Sequence, residues 1–145
     1  MADRTESSIH VGAPPADVMA VIADLEAYPE WSSDVKSVEV LSSVEPDGRP
    51  YEARFVIDSG AFKDSYTLEY TWTGDEHVSW VMSEPGSLLK SMDGEYVLEA
   101  DEGGTQLTYR LTVEVKIPMI GMIKRKAEKV IVDTALKGLK ARVEG

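Results

Sequence analysis

The chain has 145 residues, 43% hydrophobic and 28% charged. At that size a folded domain hides roughly 68–70% of its unfolded surface and needs no disulfide or metal to hold it together. The absence of cysteine excludes a disulfide framework, Cys-ligated zinc, an iron–sulfur cluster and a thiol nucleophile, and a net charge of −11 opposes nucleic-acid binding.

The first residues show no basic stretch running into an apolar one, and no run approaches the roughly 18 apolar residues of a membrane span, so a cytoplasmic protein is expected. No linker or repeat divides the chain, and residues 1–145 are read as one domain. Residues 6–11 suit a short strand ended by Gly12 and the Pro14-Pro15 pair. A helix follows: Pro15 suits its first turn, and Val18, Val21, Ile22 and Leu25 recur at the spacing of one buried stripe. In Tyr28-Pro29-Glu30-Trp31 two aromatics bracket a proline, a turn that packs at least one ring inward.

From Val35 to Lys116 the period becomes two, with turn signals at Pro46-Asp47-Gly48, Ser59-Gly60, Gly74-Asp75, Pro85-Gly86 and Gly103-Gly104. This predicts six antiparallel strands in a meander. Pro118 ends the last, and residues 120–143 read as one long helix whose apolar side is Ile123, Ala127, Val130, Ile131, Thr134, Ala135, Gly138 and Leu139. The fold class is therefore α+β, with the helix stripe buried against the sheet.

Alternation assigns side chains to faces. Along 62–73, Phe62, Asp64, Tyr66, Leu68, Tyr70 and Trp72 face inward. Along 77–84, Val78, Trp80, Met82 and Glu84 do so. A turn centred on Gly74 to Glu76 would set Trp72 opposite Val78, Tyr70 opposite Trp80, Leu68 opposite Met82 and Tyr66 opposite Glu84. The Pro85-Gly86 turn would set Met82 by Lys90 and Trp80 by Met92, the Gly103-Gly104 turn Met92 by Val113 and Tyr96 by Tyr109, and a two-residue loop at Ser59-Gly60 Phe55 by Asp64 and Ala53 by Tyr66.

A wall this rich in Tyr, Trp and Met, with the small Ala53 and Gly94 on the same face, suits either a sheet curved around a cavity or a sheet and helix packed tight with the tyrosines reaching water at the rim, because buried phenols and indoles need hydrogen-bond partners and methionine adapts to an occupant. Phe55, Tyr66, Leu68, Tyr70 and Trp72 would line the cavity together with Trp80, Met82, Met92, Tyr96 and Tyr109. Ile123 and Ala127 would supply the floor, with Tyr28 and Trp31 at the entrance. Asp64, Glu84 and Lys90 are the ionisable residues of that face, and Asp64 is the candidate proton shuttle, since burial among apolar groups raises a carboxyl pKa. His10 and His77 fall on the polar phase. With no metal-ligand spacing, P-loop, dinucleotide fingerprint or Ser-His-Asp set, neither metal nor cofactor is expected. Residues 116–145 carry eight basic residues against three acidic ones, a net +5, while the rest of the chain carries −16. Lys124, Arg125, Lys126 and Lys129 therefore mark a solvated basic face, or a docking surface for an anionic membrane or acidic partner.

Several segments resemble the polyketide cyclase/dehydrase group of the START-like SRPBCC superfamily. They are Ser8-Ile9-His10-Val11-Gly12-Ala13-Pro14-Pro15, Tyr28-Pro29-Glu30-Trp31 leading to Val35-Lys36-Ser37-Val38-Glu39-Val40, Gly94-Glu95-Tyr96-Val97-Leu98-Glu99, Gly104-Thr105-Gln106-Leu107-Thr108-Tyr109, and Leu136-Lys137-Gly138-Leu139-Lys140-Ala141-Arg142-Val143-Glu144. The resemblance implies a helix-grip fold: a curved seven-stranded antiparallel sheet around a long C-terminal helix, with two small helices closing one end. It also implies a hydrophobic ligand such as a lipid or polyketide between sheet and helix. In aromatase/cyclase members an arginine on a central strand and aromatics at the cavity mouth orient the polyketide. Tyr28 matches one such aromatic, whereas residues 62–73 contain no arginine, and Arg54 and Arg110 fall on outward phases. The expected function is a binding protein for a hydrophobic or aromatic small molecule. The alternatives are a cyclase, aromatase or dehydratase using Asp64, and an interaction module working through the basic helix.

Overall fold

The computed structural model describes residues 4–32, 35–44, 48–58, 63–116 and 121–145, with side chains of the last helix from Glu128 onward. Strand β1 (Thr5–Val11) leads into helix α1 (Pro15–Ala23) and a 3₁₀ helix (Leu25–Glu30). The six-strand meander follows as β2 (Val35–Val44), β3 (Arg49–Asp58), β4 (Lys63–Thr73), β5 (His77–Glu84), β6 (Leu89–Asp101) and β7 (Gly104–Val115), and α2 (Gly121–Glu144) ends the chain. All seven strands form one curved antiparallel sheet in the order β1-β7-β6-β5-β4-β3-β2, so β1 returns beside the last strand.

Pro15 opens α1 and Asp17 lies in its first turn, complementing the helix dipole. Its buried residues are Val18, Met19 and Ile22. Leu25 is buried from the 3₁₀ helix instead, because the chain tightens after Ala23. Gly104 closes the other end: a side chain there would collide with the carbonyl of Val11, so a bare residue lets β1 end against the β6–β7 turn.

Pairing follows expectation where the turns are tight. Trp72 faces Val78, Tyr70 faces Trp80 and Leu68 faces Met82. Met92 faces Val113, and Tyr96 faces Tyr109. It departs where connections are wider. The last β3–β4 pair is Asp58 with Lys63, leaving four residues between the strands. Phe55 therefore lies beside Tyr66 and Ala53 beside Leu68, displacing the expected Phe55–Asp64 and Ala53–Tyr66 pairs. The Ser59-Gly60 turn and Phe62 fall outside the described residues.

A bulge pairs Thr67 with Glu84, which removes Tyr66 from opposite Glu84. Between β5 and β6 the register slips by two, so Trp80 faces Gly94 rather than Met92, and Met82 is not beside Lys90. Asp64 explains the slip: its carboxylate collects the N–H groups of Ser87, Leu88 and Leu89 and holds the connection in a wider loop than two residues could make. A further irregularity between Leu89 and Ser91 buries Leu89 and turns Lys90 out.

Helix α2 packs on β1, β7 and α1. Its buried face is Glu128, Val132, Leu136 and Leu139, with Ala135 and Gly138 half-buried, whereas Val130, Ile131 and Thr134 are exposed. The expected stripe was rotated because it followed hydrophobicity past Glu128. That carboxylate accepts the Thr5 hydroxyl at 3.2 Å and the Val113 N–H at 2.9 Å, two residues past the last β1–β7 pair. At the other end of α2, Lys140 donates to the His10 carbonyl, Glu144 accepts the Gly12 N–H, and Arg142 pairs with Glu30. The helix phase is testable. Leu139→Ala is expected to cost about 3 kcal/mol in urea unfolding and Ile131→Ala less than about 0.5, and equal losses would refute it.

Candidate functional site

The inner face of the sheet carries two groups of touching aromatic rings. Trp72 stacks on Tyr70 with centroids 5.5 Å apart, and Tyr70 lies 5.8 Å from Trp80. Trp80 meets Tyr96 at 5.3 Å and Tyr109 edge-on at 5.7 Å, and those two tyrosines are 4.6 Å apart. A second group runs from Tyr66 through Phe55 to Tyr28 and Trp31. Strand alternation places the rings of the strands on one face, where Tyr70 stands opposite Trp80, Phe55 opposite Tyr66 and Tyr96 opposite Tyr109, while Tyr28 and Trp31 reach the second group from the 3₁₀ helix and its C-terminal end.

The structure thus brings together most residues expected to form the wall. Phe55, Tyr66, Leu68, Tyr70, Trp80, Tyr96 and Tyr109 are buried, and Trp72, Met82 and Met92 are half-buried against them. Tyr28 and Trp31, expected at an entrance, are half-buried, and Trp31 rests on Gly138 of α2, where an added Cβ would approach its ring to 3.1 Å. The side chains of Ile123 and Ala127 fall outside the described residues.

Polar groups on this wall are distinctive. The Tyr28 hydroxyl donates to the Ile22 carbonyl at 2.6 Å. Among the described residues the hydroxyls of Tyr66, Tyr70, Tyr96 and Tyr109 have no hydrogen-bond partner, and neither have the buried indole nitrogens of Trp31 and Trp80. Burial, reinforced by neighbouring phenols, pushes the pKa of Tyr28, Tyr70 and Tyr109 well up; burial does the same for Tyr96, aided by Tyr28, and raises Tyr66, aided by Asp64. The wall therefore offers neutral hydroxyls, each able to donate or accept. Because these phenols hold their protons more tightly when folded, stability is present below about 10, the ordinary phenol value, and falls as pH rises beyond it. An ultraviolet titration should show the phenolates of the five appearing together with unfolding; ionisation at the ordinary pH in a folded protein would contradict their burial.

None of the three ionisable candidates of the wall is available to it. Glu84 and Lys90 are exposed. Asp64 is buried, but its oxygens accept four backbone N–H groups, from Ser65, Ser87, Leu88 and Leu89, at 2.6–3.1 Å. Burial alone would raise its pKa; the four donors outweigh it and hold the carboxyl below its ordinary value. Asp64 is thus an ionised fastener for the β5–β6 loop, opposite in character to a shuttle raised by burial.

Sequence reasoning missed Arg49, which starts β3, lies 5.5 Å over the Trp72 ring and bonds to the Gly74 carbonyl and Asp75. The Pro46-Asp47-Gly48 turn signal hid it, since it put Arg49 in the loop before β3, and its place beside Trp72 follows only from the fold. Both histidines are on the outer surface, His10 beside Asp101 at 3.1 Å and His77 beside Glu95 at 2.7 Å. Glu95 also faces Arg4 and Arg110, and its carboxyl is held low, first by the His77 hydrogen bond. Open depressions of about 600 Å³ beside Pro15 and Glu99, and about 280 Å³ around His77 and Arg110, are lined by none of the wall's rings. Among the described residues no group of three acidic or histidine side chains is placed to hold a metal ion, and no helix is long and apolar enough to cross a membrane.

A family model described as polyketide cyclase / dehydrase and lipid transport matches residues 11–140. Comparison with curated proteins finds no match. Among solved structures the chain is similar to a START superfamily protein from Mycobacterium smegmatis, at 22% identity and TM-score 0.88, covering 97% of each chain. It is also similar to the Zhui aromatase/cyclase from Streptomyces sp. R1128, at 17% identity and TM-score 0.82, covering 99% of this chain and 94% of that one. A STAR-related lipid transfer protein from Xanthomonas axonopodis aligns at 16% identity and TM-score 0.73, covering 98% and 86%. At these identities the structural likeness establishes the fold.

Proposed function

Since the chain belongs to the polyketide cyclase / dehydrase and lipid transport family, we propose that it is a binding protein for an uncharged hydrophobic or aromatic small molecule held between the inner face of the sheet and α2. The observation that carries this reading is the wall of buried rings, with four tyrosine hydroxyls unpartnered and no free charge among its described residues. Apolar burial at about 25 cal/mol per Å² would supply most of the affinity, and the hydroxyls would orient carbonyl or hydroxyl oxygens of the ligand. A carboxylate or phosphate is disfavoured, because among the described residues the wall offers neutral hydroxyls and no unpaired cation to compensate the cost of dehydrating it.

The family also contains cyclases and dehydratases, and fold alone does not separate them from carriers. The commitment of Asp64 to four backbone N–H groups favours the carrier, since a shuttle must be free to exchange its proton with a substrate. Native mass spectrometry of protein from its own host, before and after solvent extraction, tests the reading. A bound neutral mass lost on extraction is expected. A ligand-free mass together with no binding across a panel of lipids and aromatic polyketides would reject it, and conversion of a bound panel member would favour the enzyme.

A further inference from the structure

We propose that the outward face of α2 docks the protein on an anionic lipid surface. The buried face of this helix is settled by Glu128, Val132, Leu136 and Leu139. On the opposite side Val130, Thr134, Lys137 and Ala141 follow one another at intervals of four, three and four residues, and all are exposed. Val130 is 56% exposed, and its neighbour Ile131 is 42% exposed. Two adjacent branched aliphatic side chains in water contribute nothing to the core that the rest of the helix builds.

Charge identifies the occupant. Residues 116–145 carry +5 and the rest of the chain −16, so the field of an anionic bilayer turns this helix toward the surface and the acidic body away from it. Lys137 is exposed on the same side two turns on from Val130, and Lys129, next to Val130 in sequence, bonds Asp133 at 3.0 Å and Ser7 of β1 at 3.3 Å while remaining half in solvent. A lipid interface receives isolated aliphatic side chains flanked by lysines without a shape-matched partner. A stable protein interface needs about 1,000 Å² of complementary surface, more than two side chains provide. The surface is independent of the aromatic wall, and it would set a carrier of hydrophobic molecules beside a bilayer.

The test is co-sedimentation with vesicles of phosphatidylcholine alone or mixed with phosphatidylserine, at low and high salt. Binding is expected only to the anionic vesicles, lost in high salt. The double substitution Val130→Asp/Ile131→Asp, and separately Lys137→Glu, should each reduce it about tenfold while melting temperature and small-molecule binding stay unchanged. Equal retention on neutral vesicles, no retention on anionic ones, or full retention of both variants would overturn the proposal. So would a dimer in size-exclusion chromatography that Val130→Asp dissolves, since a second copy would then cover this face. Failure of small-molecule binding would leave the vesicle result standing, so the two readings fail separately.

Discussion

Replacing Asp64 by asparagine is expected to destabilise the protein by about 3 kcal/mol in urea unfolding near neutral pH. Oδ1 accepts from Ser65 and Ser87, and Oδ2 from Leu88 and Leu89. An asparagine amide keeps one acceptor oxygen, so its NH₂ group would oppose a pair of buried N–H donors. The cost should localise: amide exchange at Ser87 to Leu89 accelerates before that of β7. Gly86 belongs to the same assembly, because a Cβ there would collide with the Asp64 carboxylate. The pH dependence has a definite sign. A carboxyl held below its ordinary value when folded contributes stability that is complete above about 4, the unfolded value, and is lost as pH falls toward the folded one. The Asp64→Asn protein would lack that part of the acid limb. If it proved as stable as the parent, but unable to turn over a bound substrate, the assignment would be reversed and Asp64 would be a catalytic group.

Trp80 and Gly94 form the second sensitive pair. The indole lies flat on Gly94, and a Cβ at that position would enter the ring. Gly94→Val is therefore expected to expel the indole and to cost about 3 kcal/mol, and Trp80→Ala, which empties the centre of the wall, about 4. Their combination should cost less than the sum, because the smaller side chain at 80 makes room for the larger one at 94. Trp80→Phe should cost less than Trp80→Ala, since it keeps a ring and removes a buried N–H that has no partner. Fully additive losses in this cycle would mean that the ring and the glycine do not share their space. Ligand affinity, read in parallel, should fall with Gly94→Val through displacement of the ring against Tyr96 and Tyr109.

Period-two alternation from Val35 to Lys116, the turn glycines and the long proline-free terminal segment determined the class of fold, the element order and the inward phase of Tyr66, Tyr70, Trp80, Tyr96 and Tyr109. These are local properties: alternation follows from strand geometry, and hydrophobicity reports which phase avoids water. What lies beside what was decided by tertiary structure. Trp80 meets Gly94 instead of Met92 because loop width, set by a side chain 23 residues away in sequence, shifted the register by a pair. Asp64 looked like a buried acid because alternation reports a face and says nothing of donors brought from another loop. The α2 face was misjudged for the same reason. Glu128 is buried since Thr5 and Val113 supply its partners, and a polar residue so compensated is invisible to a hydrophobic pattern. Burial of an apolar group is favourable almost anywhere inside and can be read locally, whereas burial of a charge depends on partners that only the folded chain assembles.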